Sequence, residues 1–140
     1  MNRLIGFVLL FLMLASCGDG QTSKVISSYD NGQPAKVRYY DKGGQCIREV
    51  EYHEDGKLYM EGGIKNNLRD GEWTSYFPDG KVQSKGYYEN GIRLGKALVY
   101  YENGNLWMEG LYSNDKMCGE WIIYDEQGYE IGRPFYGKCD

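Results

Sequence analysis

The sequence contains little proline and almost no histidine. Its 140 residues include three Pro and one His, His53, which stands next to a predicted turn. A catalytic pair of nucleophile and histidine base is therefore hard to assemble, and the sequence has no G-x-S-x-G, HExxH or phosphate-loop motif. Outside the first 16 residues, few stretches have the apolar spacing of an amphipathic helix. These absences argue against an enzyme and against a helical protein.

Clusters of positive charge and of metal ligands are also absent from the sequence. The formal net charge is −4, and both signs are interspersed along the chain. Nucleic-acid binding needs clustered Lys and Arg, so we predict no nucleic-acid partner. The four cysteines are scattered, and the turn acids Asp55, Asp79 and Asp125 lack the alternating ligand pattern of a calcium loop. We therefore predict a non-catalytic protein with no metal ion or other cofactor.

The N-terminus has the features of an export signal. The first 16 residues contain one early cation, Arg3, and an apolar run from Leu4 to Leu14 that is too short to span a bilayer. The segment Leu14-Ala15-Ser16-Cys17 resembles the lipobox of bacterial lipoproteins. The resemblance implies cleavage before Cys17 and acylation of Cys17. The alternative is an ordinary cleaved signal that is followed by an unrelated cysteine.

This N-terminus divides the chain into three parts. Residues 1–16 are the predicted lipoprotein signal peptide. Residues 17–28 are polar and rich in Gly and Ser, which predicts a flexible, lipid-anchored tether. Residues 29–140 form the predicted repeat domain. Since two or more acyl chains bind a bilayer stably, we expect an exported protein anchored in the cell membrane or the outer membrane.

Glycine recurs at a fixed interval through the rest of the chain. The turn glycines Gly56, Gly80, Gly104 and Gly128 are equally spaced, and we call their interval the repeat period. The earlier turn glycines Gly32 and Gly44 step towards Gly56 by half of that period. Equal spacing over this many copies is typical of a repeat architecture. Two further series have the same period, namely Gly71, Gly95 and Gly119, and Gly62, Gly86 and Gly110.

Each repeat has the pattern of a β-hairpin. Asp-Gly or Asn-Gly lies between short alternating runs, which predicts type I′ turns with positive φ at both central residues. Counting one strand for each half of the repeat period predicts an all-β fold. This fold is an elongated meander of about nine antiparallel strands in which each strand contacts its neighbours. Glycines inside strands indicate close packing or sharp bending at Gly62, Gly86 and Gly110.

The repeat also resembles a known family. The pattern G-x-W-x-x-Y, followed by a turn glycine, occurs at Gly71-Glu72-Trp73 and again at Gly119-Glu120-Trp121, and it resembles the MORN-repeat variant of bacterial proteins. The resemblance spans about residues 30–132, and the middle copy departs from it at Ala97, where Trp is expected. It implies a hairpin solenoid. Proteins of this class are often described as YwqK-type antitoxins, so the resemblance also implies a partner-neutralising role.

Two cysteines near the C-terminus are candidates for a disulfide. Cys118 and Cys139 both lie in the terminal region, and disulfides persist in exported proteins. Cys46 lies several predicted strands away, beyond the roughly 7 Å that the Cα atoms of a disulfide allow. The alternative, in which these three thiols are unpaired, stays open.

Aromatic residues are the remaining candidates for a binding surface. Trp73 and Trp121 recur in the repeat and are expected to pack, whereas Trp107 shares a strand face with Glu109 and is a candidate for exposure. Together with Tyr59 and Tyr87, Trp107 is expected to lie in columns along the sheet and to contact an unidentified protein partner. We therefore predict a membrane-anchored protein-binding module; the alternative is a structural or glycan-binding envelope lipoprotein.

Overall fold

The computed structural model describes residues 20–140, so the predicted signal peptide, the predicted lipobox and Cys17 lie outside the described residues. No helix capable of crossing a membrane is found in residues 20–140. The described chain forms ten strands: β1 Thr22–Ser28, β2 Pro34–Tyr40, β3 Cys46–Tyr52, β4 Leu58–Lys65, β5 Leu68–Tyr76, β6 Val82–Glu89, β7 Ile92–Tyr100, β8 Leu106–Ser113, β9 Lys116–Tyr124 and β10 Glu130–Gly132.

The strands form one open antiparallel sheet in sequence order, from β1 to β10. The predicted all-β meander is confirmed, although the prediction of about nine strands was one too low. Strand β1 lies within the segment that we expected to be a flexible tether. Its polar composition is typical of a linker, yet Thr22, Val25 and Ile26 are β-branched and favour extended backbone. Pairing with β2, from Thr22 opposite Tyr40 onward, then fixes the strand in the sheet.

The turns at the two ends of the strands belong to different classes. The turns β4–β5, β6–β7 and β8–β9 have two central residues, both with positive φ, as type I′ geometry requires. These residues are Asn66-Asn67, Asn90-Gly91 and Asn114-Asp115. The predicted type I′ turns therefore exist, but at the opposite ends of the strands from those expected.

The Asp-Gly and Asn-Gly turns have three-residue loops, so their assignment to type I′ was wrong. In the β3–β4 turn the Gly56 N–H donates to the His53 carbonyl, and only Gly56 has positive φ. This is a type I turn followed by a glycine bulge. The Asp55 carboxylate accepts the Lys57 N–H at 3.1 Å, which stabilises the turn without positive φ at Asp55.

Glycines in alternate strands lie beneath tryptophan rings on one side of the sheet, which we call the glycine face. Gly62 pairs with Trp73, and a Cβ at Gly62 would lie less than 3.0 Å from three indole atoms. Gly110 has the same relation to Trp121. Both tryptophans are buried, so the predictions that they pack and that these glycines mark close packing are confirmed. Gly86 is the exception, because Ala97 occupies the corresponding tryptophan position.

The C-terminal edge of the sheet is covered. Strand β10 pairs with β9, and the tail continues along the same edge through the Trp121 N–H to Pro134 carbonyl and Tyr136 N–H to Gly119 carbonyl hydrogen bonds, both 2.9 Å. A disulfide joins Cys118 in β9 to Cys139 in the tail, with 5.0 Å between the Cα atoms. Cys46 is buried and free.

Candidate functional site

The cross-strand register places a row of charged and apolar side chains on the side opposite the glycine face. We call this side the carboxylate face. Directly paired residues cross it from β1 to β9: Val25, Val37, Val50, Glu61, Thr74, Lys85, Leu98, Glu109 and Ile122. The row is apolar over β1–β3 and carries charged residues from β4 to β8.

Glu61 lies at the centre of a hydrogen-bonded cluster on the carboxylate face. Arg48 donates to one carboxylate oxygen, and the Tyr76 hydroxyl donates to the other at 3.0 Å. Burial acts to raise the pKa of Glu61, but the hydrogen bonds from Arg48 and Tyr76 outweigh it, so this pKa lies below its ordinary value. The carboxylate is therefore ionised and held in a fixed position near neutral pH.

The same cluster recurs two repeats later. Glu109 accepts hydrogen bonds from Lys96 at 2.7 Å and from the Tyr124 hydroxyl at 2.9 Å. These hydrogen bonds hold the pKa of Glu109 below its ordinary value. In the intervening repeat the charge is reversed, because Lys85 occupies the corresponding position and lies 3.6 Å from Glu72. The carboxylate face thus alternates in sign along the array, with each charge paired.

A groove of about 410 Å³ lies across β3–β6 on this face. Its floor is the backbone at Gly62 and Gly63 together with Thr74, where small side chains leave the sheet uncovered. The charged and aromatic lining consists of Arg48, Glu61, Glu72, Tyr76 and Lys85. Such a surface presents charged groups of both signs beside exposed backbone.

The exposed aromatic residues predicted from the sequence lie on this face but at two different ends of it. Tyr59 and Trp107 occupy equivalent positions two repeats apart, beside the three-residue turns. Each is partly exposed, and each packs against a turn aromatic: Tyr59 against His53 at 5.0 Å between ring centroids, and Trp107 against Tyr101 at 5.8 Å. The structure therefore places these two residues at the same end of their strands, next to the three-residue turns.

Tyr87 is also exposed, but it lies at the other end of its strand. It pairs with Glu72 and with Leu94, near the type I′ turns at the other end of its strand. The expected columns that include Tyr59, Tyr87 and Trp107 are therefore not formed, because the interval from Tyr59 to Tyr87 is longer than one repeat period. The three residues instead border the carboxylate face on two sides.

The charged groove residues were missed from the sequence. Glu61, Lys85 and Glu109 recur at the repeat period with alternating sign, but no site was predicted from them. The interval from Arg48 to its partner Glu61 equals the interval from Glu72 to its partner Lys85, a regular offset that a search for cross-strand pairs could have found. Within residues 20–140 no group of three or more His, Cys, Asp or Glu side chains is arranged to hold a metal ion.

Comparison with known families identifies three repeats in this sheet. The family described as MORN repeat variant matches residues 45–66, 69–90 and 93–114. Each matched segment covers one pair of strands joined by a three-residue turn, namely β3–β4, β5–β6 and β7–β8. The resemblance is thereby confirmed over residues 45–114, a shorter span than the sequence patterns indicated. No curated protein sequence matches the chain.

Proposed function

From these three consecutive repeats we propose that the protein is a membrane-anchored, non-catalytic binding module whose carboxylate face contacts a protein partner. The observation that carries this proposal is the groove over β3–β6, in which paired charges of both signs lie between exposed Tyr59 and Tyr87. Tyr, Trp and Arg are the residues most enriched in the energetic centres of protein interfaces. The repeats supply a rigid scaffold on which these side chains are fixed by hydrogen bonds.

The charge arrangement favours a protein over a polyanion as the partner. Arg48, Lys85 and Lys96 each pair with a glutamate on the same face, so no unpaired cationic stripe crosses the described part of the carboxylate face. A polyanion would have to compete with these carboxylates for the cations. A protein partner can instead match both signs, and such complementarity determines which partner is accepted.

The membrane anchor in this proposal rests on the sequence from Leu14 to Cys17. Acylation of Cys17 would hold the sheet close to a bilayer through a linker that ends where β1 begins at Thr22. An anchored module increases the local concentration of any partner on the same membrane. A partner-neutralising role of the YwqK type is a more specific form of the proposal, and it rests only on the family resemblance.

The test is crosslinking of the full chain in intact cells, followed by detergent extraction and mass spectrometry. We expect an acylated N-terminal Cys17 and one dominant crosslinked protein, which Lys85→Glu weakens by at least tenfold. That substitution replaces the cation that lies 3.6 Å from Glu72 with a second acid at a diagonal position, since Lys85 is directly opposite Thr74. Phe135→Ala is the matched control, because Phe135 is an exposed aromatic residue at the C-terminal edge.

Each part of the proposal has its own contradicting outcome. A soluble product without lipid would refute the anchor and leave the binding module intact. Equal crosslinking by the parent chain and Lys85→Glu would refute the groove as the interface. A toxin as the crosslinked protein would support the partner-neutralising form, and a partner of another class would exclude it.

A glycan ligand is the second candidate, and the Tyr101–Trp107 pair favours it. The two rings are tilted by 38°, and Trp107 is 40% exposed near the start of β8, so a sugar ring could stack on its free side. The probe is isolated peptidoglycan in a sedimentation pull-down. Binding that Trp107→Ala removes, together with an absence of crosslinked protein, would replace the protein-binding proposal with this one.

A further inference from the structure

The two edges of the sheet differ in whether other parts of the described chain cover them. At the C-terminal edge β10 and the tail cover β9, and the Cys118–Cys139 disulfide holds the tail in place. At the other edge β1 pairs with β2 alone, and no other described strand lies beside it. About half of the backbone N–H and C=O groups of an antiparallel edge strand point away from its neighbour, so β1 offers a free hydrogen-bonding edge.

Strand β1 also ends an apolar row. Val25, Val37 and Val50 are directly paired on the carboxylate face, and Val37 and Val50 are only 4% and 2% exposed. Val25 is 46% exposed because its outer flank has no neighbour among the described strands. A further strand with an apolar residue opposite Val25 would complete the row.

We propose that β1 pairs with β1 of a second copy of this chain, antiparallel and centred on Val25. The two chains are then related by a two-fold axis that passes between the two Val25 residues. The valine row continues from one chain into the other, and six valines lie side by side. Ser23 lies opposite Ser27 of the second copy, and Lys24 lies opposite Ile26, so the two lysines do not face each other. The strand is self-complementary in this register, as an interface between identical surfaces requires.

The geometry of β1 is compatible with this pairing. The register with β2 shifts by one residue between Val25 and Ser27 and shifts back between Ser27 and Ser28, so Val25 opposite Val37 and Ser28 opposite Pro34 belong to the same alignment. Because the C-terminal edge is covered, pairing through β1 gives a closed dimer of two sheets and not a growing fibre. This inference is independent of the proposed binding function, since it concerns the edge and not the groove.

The experiment is site-specific disulfide crosslinking of the full chain with copper–phenanthroline as the oxidant. Directly opposed residues of an antiparallel pair have Cβ atoms about 5 Å apart, within the reach of a disulfide. We expect Val25→Cys to give a covalent dimer at least tenfold above the parent chain, and Thr22→Cys alone to give none. A mixture of Thr22→Cys and Ser28→Cys chains should crosslink to each other, because these two positions face each other across the axis.

Either of two crosslinking results would overturn the proposal. One is a dimer from Val25→Cys no more abundant than that from Thr22→Cys, and the other is a crosslink from position 25 to a different protein. Sedimentation of the parent chain gives a second measurement, in which the apparent mass should double with increasing concentration. Val25→Lys should abolish this doubling, because it places like charges opposite each other, and circular dichroism of the variant monitors the fold. A parent mass that stays at the monomer value over the same range would contradict the dimer.

Discussion

At the scale of single residues, the stability of the sheet depends on a few pairs that the repeat brings together. Gly62 with Trp73 and Gly110 with Trp121 are such pairs, because the indole ring covers the glycine and bonds to the adjacent backbone. The Trp73 Nε1–H donates to the Gly63 carbonyl at 3.0 Å, and the Trp121 Nε1–H donates to the Leu111 carbonyl at 3.2 Å. The tryptophan thereby compensates for the side chain that the glycine lacks.

Because of these pairs, substitution of the three strand glycines should change the free energy of unfolding by different amounts. Gly62→Ala and Gly110→Ala should each lower the free energy of unfolding by about 1–3 kcal/mol, because the new methyl group overlaps the indole ring. Gly86→Ala should be neutral or stabilising by up to about 1 kcal/mol, since no atom lies within 4 Å of its Cβ position and its φ is not positive. Urea denaturation of the three variants measures the difference. Equal destabilisation by all three would contradict the packing described.

Glu49 is the most deeply buried carboxylate of the described residues that forms ion pairs. It is 3% exposed on the glycine face and lies 3.1 Å from Lys36 Nζ and 2.7 Å from Arg38 Nε. Burial acts to raise the pKa of Glu49, but the hydrogen bonds from Arg38 and Lys36 outweigh it and lower this pKa from the ordinary value of 4.5. The contribution of Glu49 to stability is therefore complete above about pH 4.5 and is lost as the pH falls through the lower folded-state pKa.

Glu49→Gln should consequently destabilise the protein in a pH-dependent manner. At pH 7 we expect a loss of about 1.5–3 kcal/mol, the usual contribution of hydrogen bonds to a charged group. Below the folded-state pKa the difference between parent and variant should shrink, since both side chains are then neutral. Denaturant unfolding at a series of pH values between 7 and 2 measures this, with the exposed Glu89→Gln as the control. A loss that is independent of pH would show that Glu49 acts through packing alone.

At the scale of elements, the repeat period was readable from the sequence and the turn geometry was not. The equal spacing of the turn glycines correctly predicted antiparallel hairpins, because turn residues are confined to particular backbone conformations. Asp-Gly is compatible both with a type I′ turn and with a type I turn followed by a glycine bulge. Loop length decides between them, and the pattern did not fix the strand ends closely enough to give that length.

Strand β1 and the groove could not be predicted from composition. Strand β1 is polar and buries no side chain, so only its backbone pairing with β2 reveals it. The groove depends on side chains such as Arg48 and Glu61, which come from different strands and meet only through the register. The exposure of Trp107 was foreseeable from alternation, whereas its contact with Tyr101 was not.

The two turn classes predict opposite responses to glycine. Asn67 has a φ of 64°, so Asn67→Gly should be tolerated or stabilising, by up to about 1 kcal/mol. Asp79→Gly should destabilise by about 1 kcal/mol, because it removes the 3.0 Å hydrogen bond to the Lys81 N–H and adds backbone entropy to the unfolded chain. Thermal unfolding of both variants provides the comparison. If Asp79→Gly is as well tolerated as Asn67→Gly, the loop assignment is incorrect.

At the scale of the whole molecule, the sheet is an array in which each strand contacts its neighbours. Hydrogen bonds between successive turns of the same end add a second connection, for example from the Tyr29 hydroxyl to the Tyr52 carbonyl and from the Tyr101 hydroxyl to the Tyr124 carbonyl. Stability in such an array is approximately a sum of units and of interfaces between neighbours. A change at one edge should therefore remain local.

The disulfide at the C-terminal edge tests this locality. Cys139→Ser removes a bridge between cysteines whose sequence separation is 21, for which loop entropy gives about 3 kcal/mol. Besides the disulfide, the tail is held mainly by backbone hydrogen bonds to Gly119 and Trp121, because Ile131 and Phe135 are exposed and β10 has three residues. We therefore expect the tail to detach.

Amide hydrogen exchange can resolve the effect of that loss by position. The Gly119 and Trp121 N–H groups donate to carbonyls of the tail, so their exchange should accelerate in Cys139→Ser by at least tenfold. Exchange at Trp73, four strands away, should stay unchanged, and Cys46→Ala serves as a control that removes a thiol without removing a disulfide. Equal acceleration at Trp73 and Trp121 would mean that the sheet opens as one cooperative unit. The covered edge would then stabilise the groove as well, and loss of the disulfide would weaken the proposed partner binding at a distance.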